Sequence, residues 1–235
     1  MAENKSSRKA LLVIAPNLRY KDAWDIQNEL HERRKRDKIP DVLLLTDHPP
    51  VYTLGKNAKL QNLLIPEQEV AKRGIDLHHI DRGGDITFHG PGQLVGYPIF
   101  DLHHFYQDVG RFLREMEESL MVALSHFGIK SGRQVGLTGV WVGNEKVAAI
   151  GIKLSRWFTK HGFALNVSTD LSYFENIIPC GISDKAVTSM EKLTGKSLTI
   201  SEVIPAVEAG FSQVFSIDFA HAELKEVLEL KKTFV

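Results

Sequence analysis

Arg82-Gly83-Gly84-Asp85-Ile86-Thr87-Phe88-His89-Gly90-Pro91-Gly92-Gln93 is the densest stretch of the 235-residue chain. Four glycines and a proline bracket a short extended core. Glycine lets a ligand come close to the backbone. Successive side chains of a strand point to opposite faces. After Arg82, the polar Asp85, Thr87 and His89 therefore alternate with Gly84, Ile86 and Phe88. No Gly-Lys-Ser/Thr follows, so this is not a phosphate loop, and the spacing is not the dinucleotide fingerprint. Composition leaves two uses open: a ligand-facing strand, or a Gly-rich turn and hairpin of purely structural value.

Three further stretches share its character. Lys146-Val147-Ala148-Ala149-Ile150-Gly151 opens on a lysine and continues in small residues, with Ala149 and Gly151 leaving room along one face. His161-Gly162-Phe163-Ala164-Leu165-Asn166 sets another glycine and alanine among apolar residues. Cys180, the single cysteine, lies in Ile177-Ile178-Pro179-Cys180-Gly181-Ile182-Ser183. Pro179 lacks an N–H and Gly181 is permissive, so this reads as a tight loop able to hold a thiol within reach of substrate. Taken singly, each has a plainer reading: a lysine at a hairpin turn, a core strand, a small buried thiol.

The surrounding pattern is mixed. Strands are expected at Leu11 to Ile14, at Asp41 to Thr46, where three leucines imply burial on both faces, and at Val51 to Leu54. Asp22 is read as the cap of a helix that carries Trp24, Ile26, Gln27 and Leu30 and ends in a charge run with the basic Arg33 to Lys38. Pro66 stands near a helix start, and Gly74 closes that segment. Apolar residues at three- and four-residue spacing predict a helix over Gln107 to Gly128. Thr138 to Val142 and Lys146 to Leu154 read as strands joined around Gly143-Asn144-Glu145, and His161 to Val167 as another. Thr188-Ser189-Met190-Glu191 and Thr199-Ile200-Ser201-Glu202 match the capping box, with Pro205 a complication for the second helix. Ala220 to Lys232 reads as a last short helix. The interspersed order predicts an α+β fold, a mixed or antiparallel central sheet flanked by helices, in a single domain over residues 1–235.

Bulk composition narrows the classes. Lys+Arg and Asp+Glu both number 29, so nothing in the net charge points to nucleic acid. One cysteine supports neither an intrachain disulfide nor a thiolate zinc site. The adjacent pairs His78-His79 and His103-His104 point to opposite faces on a strand, and no helical His-x-x-x-His occurs, so no metal site is expected. No apolar run approaches the ~20 residues that span a bilayer, and the reading is a cytoplasmic protein with no membrane association.

Together the stretches resemble the octanoyltransferase, or lipoyl(octanoyl) transferase, family. The resemblance runs from Arg82 to Gln93, through Tyr97-Pro98, Gly139-Val140-Trp141-Val142-Gly143, Lys146 to Gly151 and His161 to Asn166, to Pro179-Cys180-Gly181-Ile182. Order and spacing agree from about Asp41 to Met190. The resemblance implies the α+β catalytic domain shared with lipoate and biotin protein ligases. It implies transfer of an octanoyl group from octanoyl-acyl carrier protein to a lysine of lipoyl domains, those of 2-oxoacid dehydrogenase complexes and the glycine cleavage H protein. No cofactor is called for. By the same resemblance Cys180 is the nucleophile that carries the acyl thioester, and Lys146 lowers its pKa and moves protons. Arg82, Gly83, Gly84, Asp85, Ile86, Thr87, Phe88 and His89 line the substrate site with Ala149, Ile150, Gly151, Gly162, Phe163 and Ala164.

The residue types suit that chemistry. Donor and intermediate are both thioesters, so a thiol exchanges like for like. At an ordinary pKa of ~8.5 a cysteine is only a few per cent thiolate at pH 7, and a nearby cation raises that fraction. Two other readings share the features. An ATP-dependent lipoate or biotin ligase would use the Gly-rich strand and the lysine but need no cysteine after the proline. A non-catalytic module that binds acyl carrier or lipoyl domains would need neither Lys146 nor Cys180. The basic run 33–38 is a candidate docking surface for an acidic carrier protein.

Overall fold

The computed structural model describes residues 8–178 and 186–230. Cys180, with Pro179, Gly181, Ile182 and Ser183, lies outside the described residues.

Beginning at the N-terminus, β1 (Arg8–Ile14) leads into α1 (Tyr20–Lys35), then β2 (Asp41–Thr46) and β3 (Val51–Leu54). Next come α2 (Glu67–Lys72), β4 (Asp76–His79), β5 (Ile86–His89) and β6 (Gln93–Ile99), then α3 (Val109–Ser125). The hairpin strands β7 (Gly132–Gln134), β8 (Leu137–Val142), β9 (Glu145–Ser155) and β10 (Phe158–Asn166) follow. The chain closes with β11 (Ala186–Val187), α4 (Met190–Thr194), α5 (Ile200–Phe215), β12 (Ile217–His221) and α6 (Leu224–Glu229).

The large sheet has the order β12-β1-β2-β6-β10-β9-β8-β7, with β11 added to β9. β12, β1 and β2 run parallel, while β2–β6–β10–β9–β8–β7 is antiparallel throughout. A second sheet, β4-β3-β5, carries the Gly-rich stretch. This is the mixed sheet with flanking helices that the pattern predicts.

β1 and β2 show why both faces are covered. Leu11, Val13, Val42 and Leu44 share a cluster with Ala23 and Leu30 of α1. Leu12, Leu43 and Leu45 join the residues of α3 and α5 on the other face. Val42 to Leu45 are all fully buried, as three consecutive leucines require. α3 starts where Asp108 accepts from the Arg111 N–H at 2.9 Å. α5 crosses α3 so closely that a Cβ on Gly210 would lie 2.2 Å from the Ser119 carbonyl oxygen.

Three sequence readings need adjustment. Asp22 lies in the first turn of α1 and Arg19 is the cap residue. Ser189, not Thr188, caps α4, its hydroxyl accepting from the Lys192 N–H at 3.2 Å. The Thr199–Glu202 capping box holds, and Pro205 stands inside α5. The stretch read as one helix from Ala220 to Lys232 first completes β12, which pairs Ala220 with Leu11, and turns helical only at Leu224. Parallel pairing on β1 outweighs the helical propensity of these residues. No described helix is long and apolar enough to cross a membrane.

Candidate active site

The two sheets meet where β5 faces β9 and β10 of the large sheet, and a cavity of about 420 Å³ lies between them. Its shape follows from backbone packing. The Asp85 carboxylate accepts from its neighbour's Ile86 N–H at 2.7 Å and from the Asn62 amide at 2.5 Å, closing the turn ahead of β5. Gly84 has φ +88°, and a Cβ on Gly55 would lie 2.4 Å from the Gly84 carbonyl oxygen. The Gly83 N–H donates to the Ile152 carbonyl at 2.9 Å, tying this turn to β9. Arg82 turns inward, its guanidinium donating to the Thr53 carbonyl at 2.7 Å and hydroxyl at 3.0 Å.

β9 and β10 place small residues opposite one another: Ala149 pairs with Ala164, and Gly151 with Gly162. The glycines serve backbone approach as much as ligand space. A Cβ on Gly151 would lie 3.0 Å from the Gly83 carbonyl oxygen, and one on Gly162 would lie 2.1 Å from that of Gly96.

Arg82, Gly83, Gly84, Asp85, Ile86, Thr87 and His89 meet Ala149, Ile150, Gly151, Gly162, Phe163 and Ala164 around this cavity, and Lys146 opens onto it. Phe88 alone of the proposed binding residues is absent from the cavity lining. Strand alternation turns it, like Ile86, towards the core of the small sheet, where Phe88 stacks on Tyr173 at 4.4 Å between ring centroids. The Lys146 ammonium lies 4.7 Å from the centroid of the Trp141 ring.

The cavity also uses residues outside the expected site. Tyr20 of α1 and Tyr97 of β6, the latter from the Tyr97-Pro98 pair of the resemblance, form part of its wall, with Val95. Tyr20 stacks on His89 at 5.7 Å. His48, fully buried, donates from Nδ1 to the Leu18 carbonyl at 2.6 Å and accepts the Tyr97 hydroxyl at Nε2, 2.7 Å away. Burial lowers its pKa to about 4 and also pushes the His89 imidazole well below the usual histidine range, so both are neutral near pH 7. Burial raises the Tyr20 and Tyr97 hydroxyls.

His161 borders the cavity with a backbone φ of +57°, rare for a non-glycine residue. Its Nε2 donates to the Asp81 carboxylate at 2.7 Å, and its buried Nδ1 has no partner among the described residues. That hydrogen bond, with those from Lys153 and the nearby Lys160, holds Asp81 well below the carboxylate range. His161 heads one of the stretches that carry the resemblance, yet positive φ leaves no mark in composition.

The arrangement thus combines a narrow apolar slot, a lysine at its edge and a wall of neutral aromatic and imidazole rings. Described residues on either side of 179–185 are tied to this slot. The Ile178 N–H donates to the Asn62 carbonyl at 2.8 Å, and the same Asn62 holds Asp85. On the other side, Val187 pairs with Lys146 in β9.

Residues 19–212 match the family model described as the lipoyl protein ligase A/B catalytic domain. A protein named octanoyltransferase from Koribacter versatilis is 52% identical over 201 residues, 83% of this chain and 80% of its own length. Another of that name, from Caldicellulosiruptor saccharolyticus, is 43% identical over 217 residues, 90% of this chain and 92% of its own length. Among solved structures, a bipartite lipoate protein ligase from Thermoplasma acidophilum superposes with a TM-score of 0.74 at 18% identity, covering 94% of this chain and 89% of that one. A biotin protein ligase from Aquifex aeolicus gives 0.50 at 17% identity, over 88% and 69%. With Lys146, the Gly-rich turn and the small-residue pairs set around one slot, the chain belongs to the lipoyl protein ligase A/B catalytic-domain family, among its octanoyltransferases.

Proposed function

We propose that this octanoyltransferase works through a thioester on Cys180, with Lys146 as the group that raises the thiolate fraction and relays protons. The donor is octanoyl-acyl carrier protein. The acceptors are lysines of lipoyl domains, in 2-oxoacid dehydrogenase complexes and the glycine cleavage H protein, and the reaction takes place in the cytoplasm.

Attack by the Cys180 sulfur on the donor thioester forms a new C–S bond and releases the carrier thiol, which takes up a proton. The acceptor amine then attacks the acyl carbon, gives up a proton, and returns the Cys180 thiol. The energy of the donor thioester is kept until the amide forms, so no nucleotide is consumed. Lys146 supports this course as a cation beside a thiolate and, once neutral, as a base for the amine. Cross-strand Ala149/Ala164 and Gly151/Gly162 suit a slender acyl chain. Burying the six methylenes of an octanoyl group is worth up to ~5 kcal/mol before ordering costs.

The observation that carries the proposal is the placement of Lys146: its side chain opens on the cavity, and its strand pairs with β11, which directly follows the Cys180 stretch. Incubation of the wild-type chain with octanoyl-acyl carrier protein should add one octanoyl group to Cys180, read by intact-mass and peptide mass spectrometry. Cys180→Ala should abolish both adduct and transfer. Full transfer by Cys180→Ala, or a strict need for ATP, would sink the thioester course.

A further inference from the structure

A continuous hydrogen-bond path runs beneath the cavity, from the Gly-rich turn to the strand that bears Lys146. Arg82 donates to the Thr53 hydroxyl at 3.0 Å, which sits 3.5 Å from His89 Nε2. His89 Nδ1 lies 2.8 Å from Gln93 Oε1. Gln93 Nε2 donates to the Phe88 carbonyl at 3.2 Å and to Asn166 Oδ1 at 2.8 Å. Asn166 Nδ2 donates to the Thr188 carbonyl at 3.0 Å, and the Thr188 N–H donates to the Lys146 carbonyl at 3.0 Å. Thr53, His89, Gln93, Asn166 and Thr188 are all buried.

The polarity of this path is not free to vary. The Thr188 and Phe88 carbonyls only accept, so the Asn166 and Gln93 amide nitrogens must face them. Gln93 Oε1 is then left for His89, whose Nδ1 must carry the proton and whose Nε2 is the acceptor. Every donor along the path points the same way, from the Arg82 guanidinium towards Thr188. Aligned hydrogen bonds polarise one another in a dry interior.

We infer that Gln93 and Asn166 are positioning residues for the acyl transfer. They clamp the main chain at Thr188 so that β11, which follows Cys180 in sequence, stays in register on β9 at Lys146. The same clamp fixes the His89 tautomer that faces the cavity. The inference rests on the Cys180 reading for its kinetic consequence but not for its structural one. Neither residue needs to touch substrate.

The test uses Asn166→Asp, which keeps the shape but sets an acceptor against the Thr188 carbonyl, and Gln93→Glu, which does the same one step earlier. In the full-length chain, amide hydrogen exchange at Thr188 should speed up by about tenfold or more in both. Acylation of Cys180 by octanoyl-acyl carrier protein in a single turnover should slow by about ten- to a hundredfold, with donor KM changed less than about twofold. Gln93→Glu should regain rate as the pH is lowered from 8 to 6, because a protonated carboxyl again offers a donor to Asn166. A merely structural role would lower thermal stability and leave that pH profile like the wild type's. Unchanged Thr188 exchange in both variants overturns the clamp, and faster exchange with wild-type acylation overturns its positioning role. Absence of an octanoyl adduct in the wild type would count against the thioester reading instead, while the exchange data would still judge the clamp.

Discussion

The Lys146 ammonium sits 4.7 Å from the Trp141 ring centroid, across the bulged pairing of β8 and β9. The bulge falls between Val140 and Trp141, just after Gly139, whose φ is +130°. A Cβ on Gly139 would meet the Ala148 carbonyl oxygen at 2.7 Å and the Lys146 Cε at 3.3 Å. The glycine therefore keeps open the path of the lysine stem, and the indole face receives its charge. Gly139→Ala should cost about 1–3 kcal/mol of stability through backbone strain and slow acyl-enzyme formation by about tenfold. Urea midpoints and single-turnover mass spectrometry separate the two effects.

The two glycines of the slot should respond differently. At Gly162 a methyl group meets the Gly96 carbonyl at 2.1 Å and Pro98 Cδ at 2.6 Å, inside a paired sheet that cannot yield. Gly162→Ala should lose about 3 kcal/mol or fail to fold. At Gly151 the nearest atom is the Gly83 carbonyl at 3.0 Å, in a turn that can shift by a few tenths of an ångström. Gly151→Ala should stay folded, losing about 1 kcal/mol or less, and should raise the donor KM several-fold as the Gly-rich turn moves over the slot. Thermal melts with initial-rate kinetics check both, and equal behaviour of the two variants would contradict this assignment.

Much of this was legible in the sequence because the signals are local. β2 and β3 were placed at their observed bounds by apolar runs between Pro and charged breaks. The slot residues were grouped by the family resemblance, and β9 and β10 set Ala149 opposite Ala164. What stayed hidden depends on pairing over long separations. Tyr20 reaches the cavity only because α1 packs against β10 and the small sheet, and His161 points to Asp81 across 80 positions of sequence. The helix expected over Ala220 to Lys232 failed for the same reason: the β12 pairing with β1 is invisible to a local reading.

Phe88 shows how one period of a strand separates neighbours. It stacks on Tyr173 at 4.4 Å, packs edge-on to Phe174 at 5.6 Å, and is 1% exposed. Phe88→Leu should lower stability by about 1–2 kcal/mol while leaving donor KM unchanged within twofold, in contrast to changes at Thr87 or His89. A raised KM would return Phe88 to the slot.

The basic run 33–38 divides into structural and exposed parts. Arg34 is 6% exposed and donates to Asp41 at 2.7 Å, with Asp101 at 3.4 Å. Arg33 pairs with Glu29 and Lys35 with Glu32. Removing Arg34 leaves two buried carboxyls without their cation, so Arg34→Ala should cost about 3–5 kcal/mol. Arg36 and Lys38 are exposed. Arg36→Ala with Lys38→Ala should keep the urea midpoint and raise donor KM at low salt, an effect that disappears by about 0.5 M salt. If KM is unchanged at low salt, the run serves helix α1 and not the carrier protein.

The buried histidines set an acid limit on the fold. His48 titrates near 6.5 in the unfolded chain and at about 4 in the folded one, because burial disfavours its charged form. Between those values the unfolded chain binds a proton that the native state refuses, so stability falls as pH falls, by up to about 1.4 kcal/mol per pH unit. Above pH 6.5 His48 contributes no slope. His89 and His161 are shifted in the same direction by burial and steepen the loss. Asp81 does not act in this window. Its carboxyl is held low, so what it contributes is present above about 3.8 and is lost only below it. His48→Gln offers Nε2 to the Leu18 carbonyl and Oε1 to the Tyr97 hydroxyl, matching the imidazole's bonds without its proton chemistry. Urea midpoints at pH 7, 6 and 5 should fall for the wild type and fall less for His48→Gln, the difference corresponding to about one proton taken up on unfolding. Parallel slopes for the two proteins would show that His48 is not the group that titrates.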